Sequence, residues 1–207
     1  MSSYIALIDY GIGNLHSVEK AFTAIGVKTL LTSDFQLILA ADKIVLPGVG
    51  AFGDGMVGLQ QRGLVDIIRE VVKRGTPLLG ICVGMQLLFD IGEEMGRHAG
   101  LGLLSGCVVR FAPQLGVERL KVPHTGWNQL WFETNQPLLS GLESGCYAYF
   151  NHSYYCTATQ EDILAQTDYG LRYASIVRRG RLYGVQFHPE KSQTVGLQIL
   201  RNFSESG

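Results

Sequence analysis

The sequence predicts a single α/β domain with a mostly parallel central sheet flanked by helices and an antiparallel extension. Two observations predict this fold class. Short apolar segments alternate with helix-like segments through the first half of the 207 residues, and strand-like segments with short connections fill the second half. A third observation, the lack of any repeat, low-complexity stretch or linker, predicts one domain spanning residues 1–207.

The first half supplies the parallel strands and their covering helices. Apolar residues recur at helical spacing in two segments, each followed by a glycine (Gly26 and Gly75) that ends the predicted helix. The third predicted strand is expected to stop at Pro47. The predicted strands are 4–8, 27–31, 43–46 and 78–81, and the predicted helices are 15–25 and 64–72.

The second half supplies the predicted antiparallel extension. Its segments are rich in β-branched and aromatic residues and are joined by short connections. A last helix is predicted near 192–203, with Ile199 and Phe203 on its apolar face. The strand-like segments are 107–111, 147–153, 163–167, 174–177 and 182–187.

The composition excludes several classes of function. The chain has 17 basic and 18 acidic residues and a net charge of -1, so it carries no electrostatic signal for nucleic acid or for a membrane surface. No apolar run is long enough to span a bilayer, and no basic region precedes the apolar start. We therefore expect a cytoplasmic location.

Cysteine spacing predicts neither disulfides nor a metal site. No Cys-x-x-Cys pair occurs, and the pair His152 and Cys156 has no second pair with ligand spacing. No cofactor is expected. Cys107, Cys146 and Cys156 are predicted to be small buried apolar residues in strands.

Cys82 is the candidate nucleophile. It lies at the centre of Gly80-Ile81-Cys82-Val83-Gly84, between a predicted strand and a helix-like segment. Glycines on both sides relieve the crowding of a sharp strand-to-helix turn, as in the Gly-x-Ser-x-Gly nucleophile elbow. The start of a helix favours the thiolate form.

A cysteine nucleophile needs a base and a group that orients this base. Of five histidines, His188 directly follows a predicted strand, and ligand sites of open α/β sheets lie at such strand ends. Glu190 is two residues further on and can hold the imidazole. The glycine-rich loop 47–53 and the N–H of Val83 are candidates for an oxyanion hole.

These motifs together resemble the class I, or triad-type, glutamine amidotransferases, which have a flavodoxin-like fold. The motifs are Gly80 to Gln86 and His188 to Glu190, in the order of that family. Further matches resemble the glutaminase subunits of imidazole glycerol phosphate synthase across essentially the whole chain. These matches are residues 9–14, 46–52, 123–128 and 183–192.

The resemblance implies a reaction and a partner. Glutamine would be hydrolysed to glutamate and ammonia through a thioester on Cys82, with His188 as base and then acid. The ammonia would pass to a cyclase subunit, a (β/α)₈ barrel, in a heterodimer of histidine biosynthesis. The partner would then form imidazole glycerol phosphate and aminoimidazole carboxamide ribotide. The resemblance assigns oxyanion N–H groups to Val49, Gly50 and Val83, glutamine contacts to Gln86, Ser153 and Tyr154, and partner contacts to Asn14, Trp127 and Tyr149.

Two positions depart from the family pattern. Thr125 stands where methionine is usual, and Asn151 stands where an aliphatic residue is usual. These departures leave open a paralogous subunit that serves another ammonia-using synthase, such as a surface-sugar amidotransferase. A stand-alone cysteine amidase would share the same motifs. A non-catalytic subunit and a nucleotide-binding module, suggested by Gly11 and Gly13 after the first strand, are further alternatives.

Overall fold

The computed structural model describes residues 3–112, 114–115, 118–133 and 136–206. Within these residues most α-helices lie in the first half of the chain and most strands in the second half, and one long helix comes last. The α-helices are α1 (Leu15–Ala24), α2 (Phe35–Ala40), α3 (Phe52–Gln61), α4 (Leu64–Lys73), α5 (Val83–Gln86) and α6 (Gln193–Glu205). Short 3-10 helices occupy Pro137–Leu139, Gln160–Asp162 and Pro189–Lys191.

The strands of the described residues concentrate in the second half of the chain. They are β1 (Ile5–Ile8), β2 (Thr29–Thr32), β3 (Lys43–Gly48), β4 (Leu78–Cys82), β5 (Phe89–Gly92), β6 (His98–Ala99), β7 (Leu104–Arg110), β8 (Gln114–Leu115), β9 (Glu118–Arg119), β10 (His124–Leu130), β11 (Cys146–His152), β12 (Tyr154–Cys156), β13 (Ile163–Asp168), β14 (Arg172–Arg179) and β15 (Leu182–Val185).

The central sheet has seven strands in the order β13-β14-β15-β4-β3-β1-β2. Strands β15, β4, β3, β1 and β2 are parallel to one another, whereas β14 and β13 add on in antiparallel orientation. The predicted fold class, a mostly parallel sheet with an antiparallel extension, is therefore confirmed.

Helices cover the central sheet on both faces. The crossover from β1 through α1 to β2 and the crossover from β2 through α2 to β3 run in opposite directions across the sheet. Because such crossovers are right-handed, they place α1 and α2 on opposite faces. In agreement with this, α1 packs against α6, whereas α2 and α3 both contact α4. The parallel strands are buried between these layers, and every residue of β1 and of β4 is buried.

Strand β3 runs through Pro47 to Gly48, so the prediction that it stops at Pro47 is wrong. The N–H of Ile44 donates to Pro77 on the β4 side, and alternate residues of a parallel strand point the same way. The backbone nitrogen of Pro47 therefore points toward β1, and β1 pairs with β3 only as far as Val45. A missing N–H at this position costs no ladder hydrogen bond.

Two predicted strands do not join the central sheet. The segment 107–111 falls mostly in β7, within a separate sheet of order β12-β7-β5-β6. The segment 147–153 falls mostly in β11, whose one partner strand among the described residues is β10. Of the segments predicted for the antiparallel extension, β13 and β14 form it, whereas β15 pairs in parallel with β4. Strand alternation predicts that a segment is a strand, but the sheet that it joins depends on long-range packing.

Helices α2 and α3 were not predicted. The N-cap residue Asp34 accepts hydrogen bonds from Gln36 and Leu37 at the start of α2, a cap that the sequence could have suggested. Helix α3 contains glycines, which disfavour helices in isolation. Gly58 is needed because a Cβ there would lie 2.6 Å from the carbonyl oxygen of Tyr10.

The cysteine prediction is confirmed only for Cys156. Cys107, Cys146 and Cys156 all lie in strands, but Cys107 and Cys146 are half-buried and Cys156 is buried. All are free thiols. Among the described residues no helix has the length and apolar character needed to cross a membrane.

The corner between β4 and α5 allows no side chain on its glycines. Strand β4 ends at Cys82 and α5 begins at Val83, with no loop between them. A Cβ on Gly84 would lie 1.8 Å from the carbonyl oxygen of Leu46, and one on Gly80 would lie 2.6 Å from the carbonyl oxygen of Gly84. The glycines therefore let α5 pack directly on the backbone of β3.

We predict that Gly84→Ala lowers the free energy of unfolding by more than about 2 kcal/mol, because the backbone of β3 cannot move aside cheaply. Urea denaturation measures this loss. The control is Gly53→Ala in α3, where a Cβ would meet only the ring of His98 at 3.0 Å, and this side chain can rotate. Equal stabilities for the two variants would contradict the packing argument.

Candidate active site

Cys82 occupies a strained backbone conformation at the carboxyl end of the central sheet. Its φ is +54° and its ψ is -112°, a region that non-glycine residues rarely adopt and that costs on the order of 1–3 kcal/mol. The following helix α5 has only four residues. Its dipole is therefore small, and the expected helix-dipole support for a thiolate is weaker than the sequence suggested.

His188 and Glu190 lie beside Cys82, as the sequence predicts. His188 Nδ1 lies 2.9 Å from Glu190 Oε1, and the Glu190 side chain is 1% exposed. His188 and Cys82 line the same cavity, and their interaction helps to raise the pKa of His188. Because Nδ1 faces the carboxylate, Nε2 is the ring atom left to meet the sulfur. The structure thus brings together the three residues predicted as nucleophile, base and orienter, with His188 between the carboxylate and the cavity that Cys82 lines.

The surroundings of His188 favour its charged form. Burial alone would lower the pKa of His188, but the hydrogen bonds and charges of Cys82 and Glu190 outweigh burial and raise the pKa to about 10. At neutral pH His188 is thus an imidazolium.

The loop with Val49 and Gly50 follows β3 on the same edge of the sheet, and both residues line the cavity that contains Cys82. Tyr10 OH donates to the Pro47 carbonyl at 2.7 Å before the loop, and Glu94 Oε2 accepts from the Phe52 N–H at 2.7 Å after it. Burial and the nearby Cys82 raise the pKa of Tyr10, which stays a neutral donor. Both ends of the loop are therefore held.

Gln86 lies in α5 and is buried beside the nucleophile. Its Nε2 donates to the Tyr154 carbonyl at 3.2 Å and to Gln186 Oε1 at 3.1 Å. Gln186 Nε2 in turn faces Cys82 Sγ at 3.9 Å. Ser153 and Tyr154 follow β11 and line the same cavity as Cys82.

A buried cluster of polar side chains hydrogen-bonds to the backbone of the segment that contains Ser153 and Tyr154. His152 Nδ1 lies 2.7 Å from the Tyr154 carbonyl, which can only accept, so Nδ1 carries the proton. His152 Nε2 is then the acceptor for His124 Nδ1 at 3.3 Å. Consistently, His124 Nε2 accepts from Asn128 at 3.2 Å. Tyr173 OH lies 3.2 Å from each of the two facing ring nitrogens.

Both rings of this cluster are neutral. Burial lowers the pKa of His124 to about 4, and burial together with the nearby His124 and His188 lowers the pKa of His152 to about 3. The hydrogen bond to Tyr154 opposes the shift of His152 without cancelling it. The site therefore holds a charged imidazole on one side of the cavity and neutral imidazoles on the other.

The cavity at Cys82 has a volume of about 260 Å³. This volume is below the range typical of drug-sized ligands, so a small molecule of amino-acid size fits it. All the residues predicted as nucleophile, base, oxyanion donors and substrate contacts line this cavity. Glu190, the predicted orienter, does not line it and contacts His188 instead. The lining residues are Val49, Gly50, Cys82, Val83, Gln86, Glu94, Pro123, Asn151, His152, Ser153, Tyr154, His188 and Lys191.

The predicted partner contacts lie outside the cavity. Trp127 and Tyr149 are opposite each other in the β10–β11 pair, with ring centroids 6.0 Å apart, and Trp127 is 47% exposed. Trp131 and Tyr147 are exposed on the same face of this pair. Asn14 is not part of it: it precedes α1, beyond the end of β1.

The two departures from the family pattern are one interaction. Thr125 and Asn151 are directly opposite in the β10–β11 pair, and Thr125 Oγ1 donates to Asn151 Oδ1 at 3.0 Å. Both side chains are exposed. A polar pair thus replaces the apolar pair expected at the rim of the cavity.

Sequence reasoning missed Tyr10, Glu94 and Gln186. The side chains of Tyr10 and Glu94 hydrogen-bond to the backbone of the glycine-rich loop. Both residues are far from this loop in the sequence, so no spacing rule reveals the contacts. Gln186 is two residues before His188 and is fully buried. A polar residue in an otherwise apolar strand end was the available signal for Gln186.

The neutral histidines predict a loss of stability in acid. The unfolded chain binds protons at His152 below about pH 6.5, whereas the folded chain does so only near pH 3. The contribution is complete above pH 6.5 and is lost as the pH falls. For His152 alone we expect the free energy of unfolding to drop by about 2 kcal/mol from pH 7 to pH 5.

Urea denaturation at pH 7, 6 and 5 measures this slope. His152→Asn keeps a donor near the Tyr154 carbonyl but cannot titrate, so its slope should be flatter. His16→Asn is the control, because the His16 side chain is 83% exposed. Equal slopes for His152→Asn and the unsubstituted chain would contradict the assignment.

Comparison with known proteins agrees with this geometry. Residues 6–206 match the family model for class-I glutamine amidotransferases. The subunit HisH of imidazole glycerol phosphate synthase from Moorella thermoacetica is 52% identical over 97% of this chain and 94% of its own length. The HisH subunit from Geobacter sulfurreducens is 48% identical over 97% and 98%.

Solved structures share the fold at lower sequence identity. The structure of PurLQS from Thermotoga maritima superposes with a TM-score of 0.75 at 18% identity, over 99% of this chain and 98% of that one. A glutamine amidotransferase crystal structure gives a TM-score of 0.74 at 20% identity, over 97% of each chain. The chain belongs to the class-I glutamine amidotransferase family, among the relatives of HisH subunits.

Proposed function

We propose that this chain is the glutaminase subunit of imidazole glycerol phosphate synthase and that Cys82, His188 and Glu190 hydrolyse glutamine to glutamate and ammonia. The observation that carries the proposal is a strained, buried cysteine that shares a cavity with a histidine held by a buried carboxylate. The family match supports the choice of glutamine as substrate.

The reaction starts from the Cys82 thiolate and the His188 imidazolium. Sulfur attacks the carboxamide carbon, and the N–H groups of Val83, Val49 and Gly50 stabilise the oxyanion. His188 gives its proton to the leaving nitrogen, so ammonia departs and a thioester remains. His188 then takes a proton from water, hydroxide attacks the thioester, and glutamate leaves with the thiolate restored.

Gln86, Ser153 and Tyr154 hold the substrate. They line the cavity around Cys82, and their backbone and amide groups supply the polar contacts that an amino acid needs. Glutamine is small enough for this cavity. The whole chain acts as one domain and works in the cytoplasm.

The ammonia passes to a cyclase partner with a (β/α)₈ barrel, which forms imidazole glycerol phosphate and aminoimidazole carboxamide ribotide. Asn14, Trp127 and Tyr149 contact this partner. The exposed aromatic face of β10 and β11 supports the assignment, because exposed clusters of Trp and Tyr are typical of protein interfaces. Tyr149 also touches the site directly: its carbonyl accepts from the His188 N–H at 2.9 Å.

We predict that Cys82→Ala lowers glutamine-dependent synthesis by the complex by about 10³-fold or more, because the thioester cannot form. Synthesis from added ammonium salt should be unchanged. Product formation with each nitrogen source measures both activities. Cys107→Ala, at a half-buried cysteine away from the cavity, is the control. Loss of both activities in a folded complex would count against the proposal.

We also predict slow hydrolysis by the isolated chain and at least about tenfold faster hydrolysis when the cyclase is bound to its own substrate. Glutamate release measures the rates. Trp127→Ala should weaken the stimulation, because it removes an exposed anchor of the interface, whereas Phe35→Ala, an exposed aromatic residue of α2, should not.

Two outcomes would redirect the assignment. A full rate without any partner would favour a stand-alone amidase. Stimulation by a different synthase, and not by the cyclase, would favour a paralogous subunit and would draw attention to the Thr125 and Asn151 pair.

A further inference from the structure

We propose that Gln186 is a positioning residue for the reaction: its amide N–H holds the Cys82 sulfur, and its carbonyl oxygen fixes the orientation of Gln86. The inference rests on the proposed glutaminase function. Gln186 is not the proposed nucleophile, base or orienter. It joins the nucleophile to the side of the cavity that holds the substrate.

Gln186 is fully buried and has a partner for each end of its amide group. Nε2 lies 3.9 Å from Cys82 Sγ, a hydrogen-bond distance that fits the large sulfur atom. Oε1 accepts from Gln86 Nε2 at 3.1 Å. The backbone is fixed too, because the Gln186 N–H donates to the Ser175 carbonyl at 2.9 Å.

The direction of the Gln186 amide follows from its neighbours. The Tyr154 carbonyl can only accept, so the group that Gln86 presents to it must be the NH₂. The second hydrogen of this NH₂ needs an acceptor, and Gln186 Oε1 provides it. Gln186 must therefore turn its own NH₂ toward Cys82 Sγ. Reversing either amide would place two donors or two acceptors against each other.

This arrangement serves the charged form of Cys82. A hydrogen bond to an ionised acceptor is about twice as strong as one between neutral groups, so the N–H of Gln186 favours the thiolate over the thiol. Cys82 is 4% exposed as a whole residue, so water has little access to do the same. Gln186 and His188, two residues apart, thus approach the sulfur with separate donors.

The arrangement also orients Gln86. Both of its N–H groups are used within the protein, which leaves Gln86 Oε1 as the atom that can accept a hydrogen bond from a ligand in the cavity. Loss of Gln186 would free this amide to rotate. The structure therefore predicts that one side chain influences both the reactivity of Cys82 and the affinity for substrate.

The test compares Gln186→Met with Gln86→Met in the complex with the cyclase. Gln186→Met keeps the length of the side chain but removes both contacts. We expect kcat for glutamine hydrolysis to fall about tenfold, KM to rise about threefold, and the rate at which iodoacetamide alkylates Cys82 at pH 7 to fall about fivefold. Mass spectrometry of the Cys82 peptide excludes the other three cysteines.

Gln86→Met should separate the two roles. It should raise KM by a similar factor while the alkylation rate of Cys82 stays within about twofold of the unsubstituted chain. Ser175→Ala is the matched structural control: it lies beside Gln186, and its buried Oγ has no hydrogen-bond partner among the described residues. This control should change neither the alkylation rate nor KM.

The proposal is overturned if folded Gln186→Met keeps the alkylation rate and kcat of the unsubstituted complex, or if Ser175→Ala lowers both equally. If Gln186→Met does not fold, the test is the NMR signal of the Gln186 side-chain amide in the unsubstituted chain and in Cys82→Ala. The Cys82→Ala substitution should shift this signal. An unchanged signal would reject the contact between Gln186 and Cys82. Absence of glutaminase activity in the unsubstituted complex would instead reject the proposed function, because alkylation of Cys82 does not require that activity.

Discussion

The close approach of α5 to the backbone of β3 and β4 is the constraint on which the site depends. Gly80 and Gly84 have no room for a Cβ, and Cys82 between them has a positive φ at the end of the sheet. The same corner places Gln86 beneath the cavity and the loop of Val49 beside it. A change that widened the corner would therefore displace Cys82, Gln86 and the loop of Val49 together.

Electrostatics then divides the histidines of the site by environment. His188 is buried, yet the hydrogen bonds and charges of Cys82 and Glu190 raise its pKa to about 10. His152 and His124 are buried and neutral, because carbonyl, amide and ring partners offer them no opposite charge. One side of the cavity can therefore hold a thiolate and move protons, while the other side provides fixed hydrogen bonds. The division follows from the partners of each ring and not from burial alone.

The site and the proposed partner face share a strand. Tyr149 presents its ring beside Trp127 on the outside of β11, while its carbonyl binds the N–H of His188 and its own N–H binds Ser192 Oγ at 2.9 Å. Ser192 Oγ also donates to the His188 carbonyl at 2.7 Å. A partner that presses on this strand would therefore act on the segment that carries the base. This shared segment gives a physical route for the proposed stimulation.

The sequence by itself determined the fold class, the position of Cys82 at a glycine-flanked corner, and that of a histidine and a glutamate at a strand end. These features are local: apolar periodicity, glycine spacing and a three-residue motif carry them. Only the tertiary structure decided that β7 and β11 leave the central sheet, that β3 continues through Pro47, and that Tyr10, Glu94 and Gln186 belong to the site. Each of these depends on contacts between residues far apart in the chain, where hydrogen-bond partners and free strand edges are set by packing that no local pattern encodes.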